Sequence, residues 1–345
     1  MRHVPSMRLL WIPCVALSLA APFASAADDY TVQALPIPAN AFSGQSSAIN
    51  DDGISAGWYQ TLRKWVAVRW DAQGNMTALG TLPGLPSSLA NGINDAGTIV
   101  GFAFTNDHLE TRAFAWDAGT GMRALEDLGG DASLAQAINA NGTIVGWSYD
   151  ASGVLHAVSW NAAGRITDLN PPGAISEALG INDHGDIVGW VFGATASASH
   201  AWLWKRDGTQ LDLHTLGGAG SQAFAVNDAL VVVGVSDRRV LPPIAFLWTP
   251  NTGMRDAGFG SNSQALAINA KSRIAGMRVI DAGVVGLIRT LRTPVQTLPD
   301  VATGKPPFSA PTGINACGDL VGSSSSPDPG NGNPVPAIWL KAHCD

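Results

Sequence analysis

The chain has 345 residues, of which 46% are hydrophobic, only 14% are charged and 39 are glycine, and its formal net charge is −7. The apolar content excludes a disordered polymer, the scarcity of charge and abundance of glycine exclude a coiled coil, and the acidic balance excludes a basic nucleic-acid binder. What remains is a folded, Gly-rich, all-β chain.

The first 26 residues have the layout of a secretory leader: Arg2 and Arg8 at a positive start, an apolar run from Leu9 to Ala21, and the small-residue cleavage site Ala24-Ser25-Ala26. The run is too short to span a bilayer, and no later stretch reaches membrane length. The expectation is a secreted or periplasmic mature domain over 27–345, with no membrane span. Removing the leader leaves the chain more acidic, which speaks further against a nucleic-acid partner. Cys14 departs with the leader, and Trp11-Ile12-Pro13 before it is not the small-residue sequence of a lipidated cysteine. Cys317 and Cys344 remain, and in an oxidising compartment such a lone pair predicts a disulfide rather than a metal site.

The rest of the chain repeats one unit seven times. Segments of the type GINDAGTIVG carry a shared asparagine at Asn50, Asn94, Asn139, Asn182, Asn227, Asn269 and Asn315, and seven residues after each stands a glycine, from Gly57 and Gly101 to Gly322. About twenty residues after each Asn comes Ala-x-x-Trp, ending at Trp70, Trp116, Trp160, Trp204 and Trp248; the sixth copy lacks the Trp, and the seventh is Ala337-Ile338-Trp339. A turn and a short strand follow. Each unit therefore reads as four strands, here called a (SLAQAIN type), b (TIVG type), c (AFAW type) and d (MRALEDL type). Asn-x-x-Gly between a and b predicts a tight antiparallel hairpin in which glycine supplies positive φ. Leu230 and Ser272 occupy the glycine position in two copies, and because a leucine at positive φ is costly, the fifth turn is expected to be built differently.

Four strands per unit of about 44 residues predict an all-β fold, a seven-bladed β-propeller of four-stranded antiparallel blades. A parallel β-helix, the main rival, lacks such hairpins. The chain ends after a c strand, Ala337 to Leu340, and the mature chain begins with an unattached d-like strand, Tyr30 to Leu35. The expectation is a ring closed by this N-terminal strand completing the last blade, which removes free sheet edges.

These units resemble the bacterial extracellular HAF repeat, named for a His-Ala-Phe tripeptide before the Trp. The tripeptide stands here as Arg112-Ala113-Phe114, His156-Ala157-Val158, His200-Ala201-Trp202 and Ile244-Ala245-Phe246, and the full spelling does not occur. Leu128-Gly129-Gly130, Leu216-Gly217-Gly218 and the S-x-A-x-x-I-N runs are also similar to the family pattern. The resemblance implies an exported bacterial repeat protein and brings no activity or catalytic residue with it.

The sequence contains no nucleophile elbow, phosphate loop, zincin helix or EF-hand loop, so no catalytic residue, metal site or cofactor is assigned. Asn50-Asp51, Asn94-Asp95 and Asn182-Asp183 have a superficial likeness to calcium loops but lack the alternating carboxylates and terminal Glu, so they read as turn chemistry. His156 and His200 hold equivalent positions in adjacent units and read as strand-edge histidines. Asp107, His108 and Glu110 form a compact acid–base cluster in the b–c loop of the second unit, and Ser323 to Pro334 reads as a flexible loop. Eight residues after the repeated Asn stand Trp58, Phe102, Trp147 and Trp190, followed by Val235, Met277 and Ser323 in the later units. Two readings of the four aromatics stay open: packing between blades, and a stacking surface for a carbohydrate or a peptide or protein, with Asp107 and His108 as its polar edge. The residues favour a binding or scaffold module; the alternative is a carbohydrate-active or other extracytoplasmic enzyme with its site at the propeller mouth, and a purely structural surface repeat is a third possibility.

Overall fold

The computed structural model describes residues 25–26, 29–107, 109–193, 198–302, 306–328 and 332–344. All regular structure among them is β, and none contains a helix long and apolar enough to cross a membrane. The leader expected over 1–26 lies outside the described residues except for Ser25–Ala26, which pairs in parallel with Gln296–Thr297.

The expected a-b-c-d order is found in antiparallel sheets. In the first unit it runs Ala41–Ile49, Ser55–Thr61, Trp65–Trp70 and Met76–Ala78; in the fourth, Ile175–Ile181, Ile187–Phe192, His200–Trp204 and Gln210–Asp212. The second and third units are joined into one eight-stranded sheet by a single parallel pairing, Ala132 with Thr111. In the last sheet Ser309–Ile314, Leu320–Ser324 and Val335–Lys341 supply a, b and c, and the fourth strand is Tyr30–Ala34, antiparallel to Val335–Lys341 with Tyr30 opposite Lys341 and Ala34 opposite Ala337. Cys317, in the a–b turn of this sheet, is disulfide-bonded to Cys344, with the Cα atoms 4.7 Å apart.

The repeated residues each have a physical reason. Strand a carries a register shift opposite the glycine seven residues after the Asn, as between Ala135 and Ala137. The bulge drives a carbonyl toward strand b, so that a Cβ built on Gly146 would lie 2.0 Å from the Leu134 oxygen, and the same clash recurs at Gly57, Gly101, Gly189, Gly234, Gly276 and Gly322. The buried asparagine does more than shape its turn. Asn139 Oδ1 accepts the Thr143 N–H at 2.9 Å, and its Nδ2 donates to the Asn182 carbonyl of the next unit at 3.0 Å. The same donation links Asn50 to Asn94, Asn94 to Asn139, Asn182 to Asn227, Asn227 to Asn269, Asn269 to Asn315, and Asn315 back to Asn50.

Two further layers join neighbouring sheets. The Ala N–H of strand c donates to a serine at the start of the next strand a, as from Ala113 to Ser133 and from Ala157 to Ser176. The Trp ending strand c donates its Nε1–H to the carbonyl just beyond the preceding strand d: Trp160 to Glu126, Trp204 to Leu169, Trp339 to Pro299 and Trp70 to Pro36. In the sixth unit, which lacks the Trp, Arg289 stands in its register position and donates to the Ala257 carbonyl at 2.6 Å. Hydrophobic clusters likewise straddle unit boundaries. Val100, Ala113 and Leu125 pack with Ala135, Val158 and the fully buried Trp160, while Val321 and Ile338 of the last sheet pack with Val68 and Trp70 of the first.

Two local expectations are corrected. The fifth a–b turn is not built differently: Leu230 adopts φ 55°, donates its N–H to the Asn227 carbonyl at 2.9 Å and packs against the core of its sheet, which offsets the left-handed strain. Ser272 adopts φ 56°, donates its N–H to the Asn269 carbonyl at 2.9 Å and accepts from Asn227 Nδ2 on its hydroxyl. Ser323 to Ser326 are buried, and Ser323 and Ser324 belong to a strand, because the Ser324 hydroxyl accepts the Val301 N–H and the Ser325 N–H donates to the Phe308 carbonyl.

Candidate functional site at the end of strand b

In this strand order every a–b and c–d turn lies at one face and every b–c and d–a connection at the other. Trp58 pairs with Gln45 and Ala67, Phe102 with Leu89 and Ala113, Trp147 with Leu134 and Ala157, and Trp190 with Glu177 and Ala201. The four aromatics thus share one register, toward the b–c face. Phe102 is buried, packed with Phe104, Leu89 and Leu134, and the half-buried Trp58 and Trp147 flank that cluster. Trp58 stacks at a tilt on Trp65, ring centroids 4.6 Å apart, and Trp147 meets Tyr149 edge-on at 5.6 Å. A cleft of about 310 Å³ opens beside this cluster between the first two units, lined by Gln60, Leu62, Lys64, Trp65, Phe104 and Asn106.

Trp190, also half-buried, donates its Nε1–H to Glu177 Oε2 at 3.1 Å. Burial pushes the Glu177 carboxyl up to about 7, against the opposing effect of that hydrogen bond. Tyr149 is raised too, first by burial and then by the charge of Glu177. Glu177 was not among the residues expected from sequence. Its signal was available, since it is the one acid at a strand-a position filled by Gln45, Leu89, Leu134, Gln222, Gln264 and Ala310 in the other units.

The acid–base cluster of the second unit is only partly described. Asp107 Oδ1 accepts the Leu109 N–H at 3.2 Å, Glu110 lies 3.8 Å from Arg112, and His108 lies outside the described residues. At the opposite face the Asp after the repeated Asn reaches between units: Asp95 accepts the Asp51 N–H and Asp183 the Ala140 N–H. His156 and His200 each place Nδ1 on a strand-d carboxylate, Asp168 at 2.8 Å and Asp212 at 2.9 Å.

The same b–c face presents large apolar side chains to solvent. Leu62 is 93% exposed, Leu109 67%, Phe192 40% and Val240 89%, and all stand in or at the start of b–c loops.

No family model and no curated protein matches this sequence. The fold is similar to that of virginiamycin B lyase from Staphylococcus aureus, a catalytically inactive variant in complex with Quinupristin, at TM-score 0.59 and 11% identity over 90% of this chain and 99% of that one. It is also similar to an oligogalacturonate lyase from Vibrio parahaemolyticus, at TM-score 0.57 and 12% identity over 92% and 95% of the two chains, and to a streptogramin B lyase, at TM-score 0.54 and 10% identity over 90% and 98%. At such identities the likeness establishes a propeller-like all-β fold.

Proposed function

We propose that this chain is an exported, closed seven-bladed propeller of the HAF-repeat type that binds a peptide or protein segment on its b–c face. Closure is supported by the cyclic run of Asn hydrogen bonds and by the pairing of Tyr30–Ala34 with Val335–Lys341. The observation that carries the binding reading is the exposure of apolar side chains on the b–c loops of the first, second, fourth and fifth units, beside the half-buried Trp58, Trp147 and Trp190. Apolar groups displayed together on one face gain by being covered, and indole faces provide contact area at low ordering cost. In this reading Phe102 is the floor under the tryptophans and Asp107 supplies the polar edge. A carbohydrate would use the same indole faces, but the exposed aliphatic side chains favour a peptide.

The test is a screen of the purified chain against immobilised peptides and glycans, followed by Trp58→Ala, Trp147→Ala and Trp190→Ala. Binding weakened about tenfold or more with the melting temperature little changed supports the site. Unaltered binding in all three variants, or collapse of the fold in all three, overturns it.

A second reading, an enzyme, is favoured by Glu177: a carboxyl whose burial holds its proton up to about pH 7, hydrogen-bonded to Trp190, has the form of a general acid. The activities of the structural neighbours, lyases among them, give it weak support. Turnover of a bound ligand that is lost in Glu177→Gln while binding persists would establish it.

A further inference from the structure

Two units share a His–Asp pair between strands c and d, and they differ in what stands two residues beyond the Asp. In the third unit His156 Nδ1 lies 2.8 Å from Asp168 Oδ2, and Asn170 donates its N–H to Asp168 Oδ1 at 2.8 Å. The Asn170 side chain is absorbed by the sheet: Nδ2 donates to the Ala174 carbonyl and Oδ1 accepts from the Ser176 hydroxyl. In the fourth unit His200 Nδ1 lies 2.9 Å from Asp212 Oδ2, and the following residue of the pattern is His214, whose N–H donates to Asp212 Oδ1 at 2.7 Å. Here the backbone carbonyl of His214 receives the serine hydroxyl, from Ser221, and the imidazole turns toward Asp212 instead, with Nδ1 3.6 Å from Oδ1. The two imidazoles stand edge to face with centroids 6.4 Å apart. One donor atom from each of His200, Asp212 and His214 lies within 4.8 Å of the other two.

We infer that His200, Asp212 and His214 form a site for a divalent transition metal of the zinc class, with three protein ligands and an open coordination position. Two imidazoles and one carboxylate are the donor set of such ions, whereas magnesium and calcium take oxygen ligands. Metal–ligand bonds of about 2.0–2.1 Å place tetrahedral donors roughly 3.3 Å apart. His200 Nδ1 and Asp212 Oδ2, now hydrogen-bonded at 2.9 Å, have to part by a few tenths of an ångström as the metal displaces the proton between them, and both side chains are largely buried, so this pair is held close to its place. His214 has to close from within the 4.8 Å that bounds the three donors, which rotation of its side chain, 78% exposed, allows. Because His200 begins strand c and Asp212 ends strand d, the open position lies on the b–c face, in the unit that carries Glu177 and Trp190. The third unit, with Asn170 in place of the second histidine, is a control built into the chain.

The test uses the full chain, stripped with a chelator and titrated with Zn²⁺ and, separately, Mg²⁺. His214→Gly removes the ligand at a residue whose φ of 62° suits glycine, so its metal-free melt should equal or exceed that of the wild type. His214→Asn reproduces the third unit. The expected result is one zinc more per wild-type chain than per His214→Gly or His214→Asn chain, or an affinity at least tenfold higher. Zinc raises the wild-type melting temperature only, Mg²⁺ does not compete, and His156→Gln binds as wild type. Equal zinc binding and equal thermal response in wild type and both His214 variants overturn the site, as does a wild type that prefers Mg²⁺. Tetrahedral Co²⁺ absorption present in wild type and absent in His214→Gly is the confirming signature.

Discussion

The two faces of this molecule are built on opposite principles. At the a–b face each unit repeats the same asparagine, the same two hydrogen bonds and the same handover to the next sheet, so that one unit's geometry is satisfied only by its neighbour. At the b–c face the same register positions hold Trp58, Phe102, Trp147, Trp190, Val235, Met277 and Ser323, and the loops differ in length, charge and apolar display. Repetition records what the architecture requires of every sheet. Departure from it marks where individual units are released to do something else.

The contrast between the faces can be broken at four points. Deleting Tyr30–Leu35 removes the strand that completes the last sheet and should abolish the cooperative melt, measured by circular dichroism; an unchanged melt would refute closure. Gly146→Val places a Cβ 2.0 Å from the Leu134 oxygen at the bulge and should cost about 3 kcal/mol in denaturant unfolding. A valine tolerated there would mean that the strand-a bulge is not rigid. Asn139→Ala deletes one buried and one part-buried hydrogen bond, leaving the Thr143 N–H without its acceptor and the Asn182 carbonyl with the Gly185 N–H alone, for a loss of about 2 kcal/mol. Its partner measurement is Met277→Ala, at the aromatic register of the sixth unit, which should cost less in stability than Asn139→Ala and so sharpen the contrast.

The fourth point is Glu177. Its folded carboxyl titrates at about 7 and its unfolded one near the ordinary 4.5, so the native state holds the proton more tightly. Its contribution to stability is full below about pH 4.5 and is lost as pH rises through about 7. Glu177→Gln, which cannot ionise and still accepts from Trp190, should therefore match wild type at pH 4 and become the more stable of the two as pH rises through about 7. A constant difference across that range would place the carboxyl elsewhere in its titration.

Much of the a–b face was legible in sequence because its residues recur at fixed spacing. Asn139 and Gly146 could be found by alignment of the chain with itself, and the orphan strand at Tyr30 by counting. What spacing cannot report is which unit a side chain reaches. The asparagines read as turn residues, yet their amides bridge sheets, and the glycines read as mere regularities, yet each yields to a carbonyl from a bulge. Leu230 misled for a related reason, since local backbone preference was overruled by packing that only the folded sheet supplies. The b–c face was less legible. Its four aromatics were visible as a series, but their unequal burial, the Glu177 carboxyl and the pairing of His200 with His214 across a d–a connection depend on single residues that no period announces.

The run of asparagine amides has an electrostatic consequence. Each donor points toward the later unit and the last points back to the first, so the seven dipoles follow one another around a circuit. In the closed ring proposed above, the components of these dipoles along the circuit cancel, unlike the stacked peptide dipoles of a helix, which add along their axis. Arranged this way, the belt adds no net dipole across the ring, and a preference for one side of it in the charge of an approaching ligand has to be written by individual ionisable side chains.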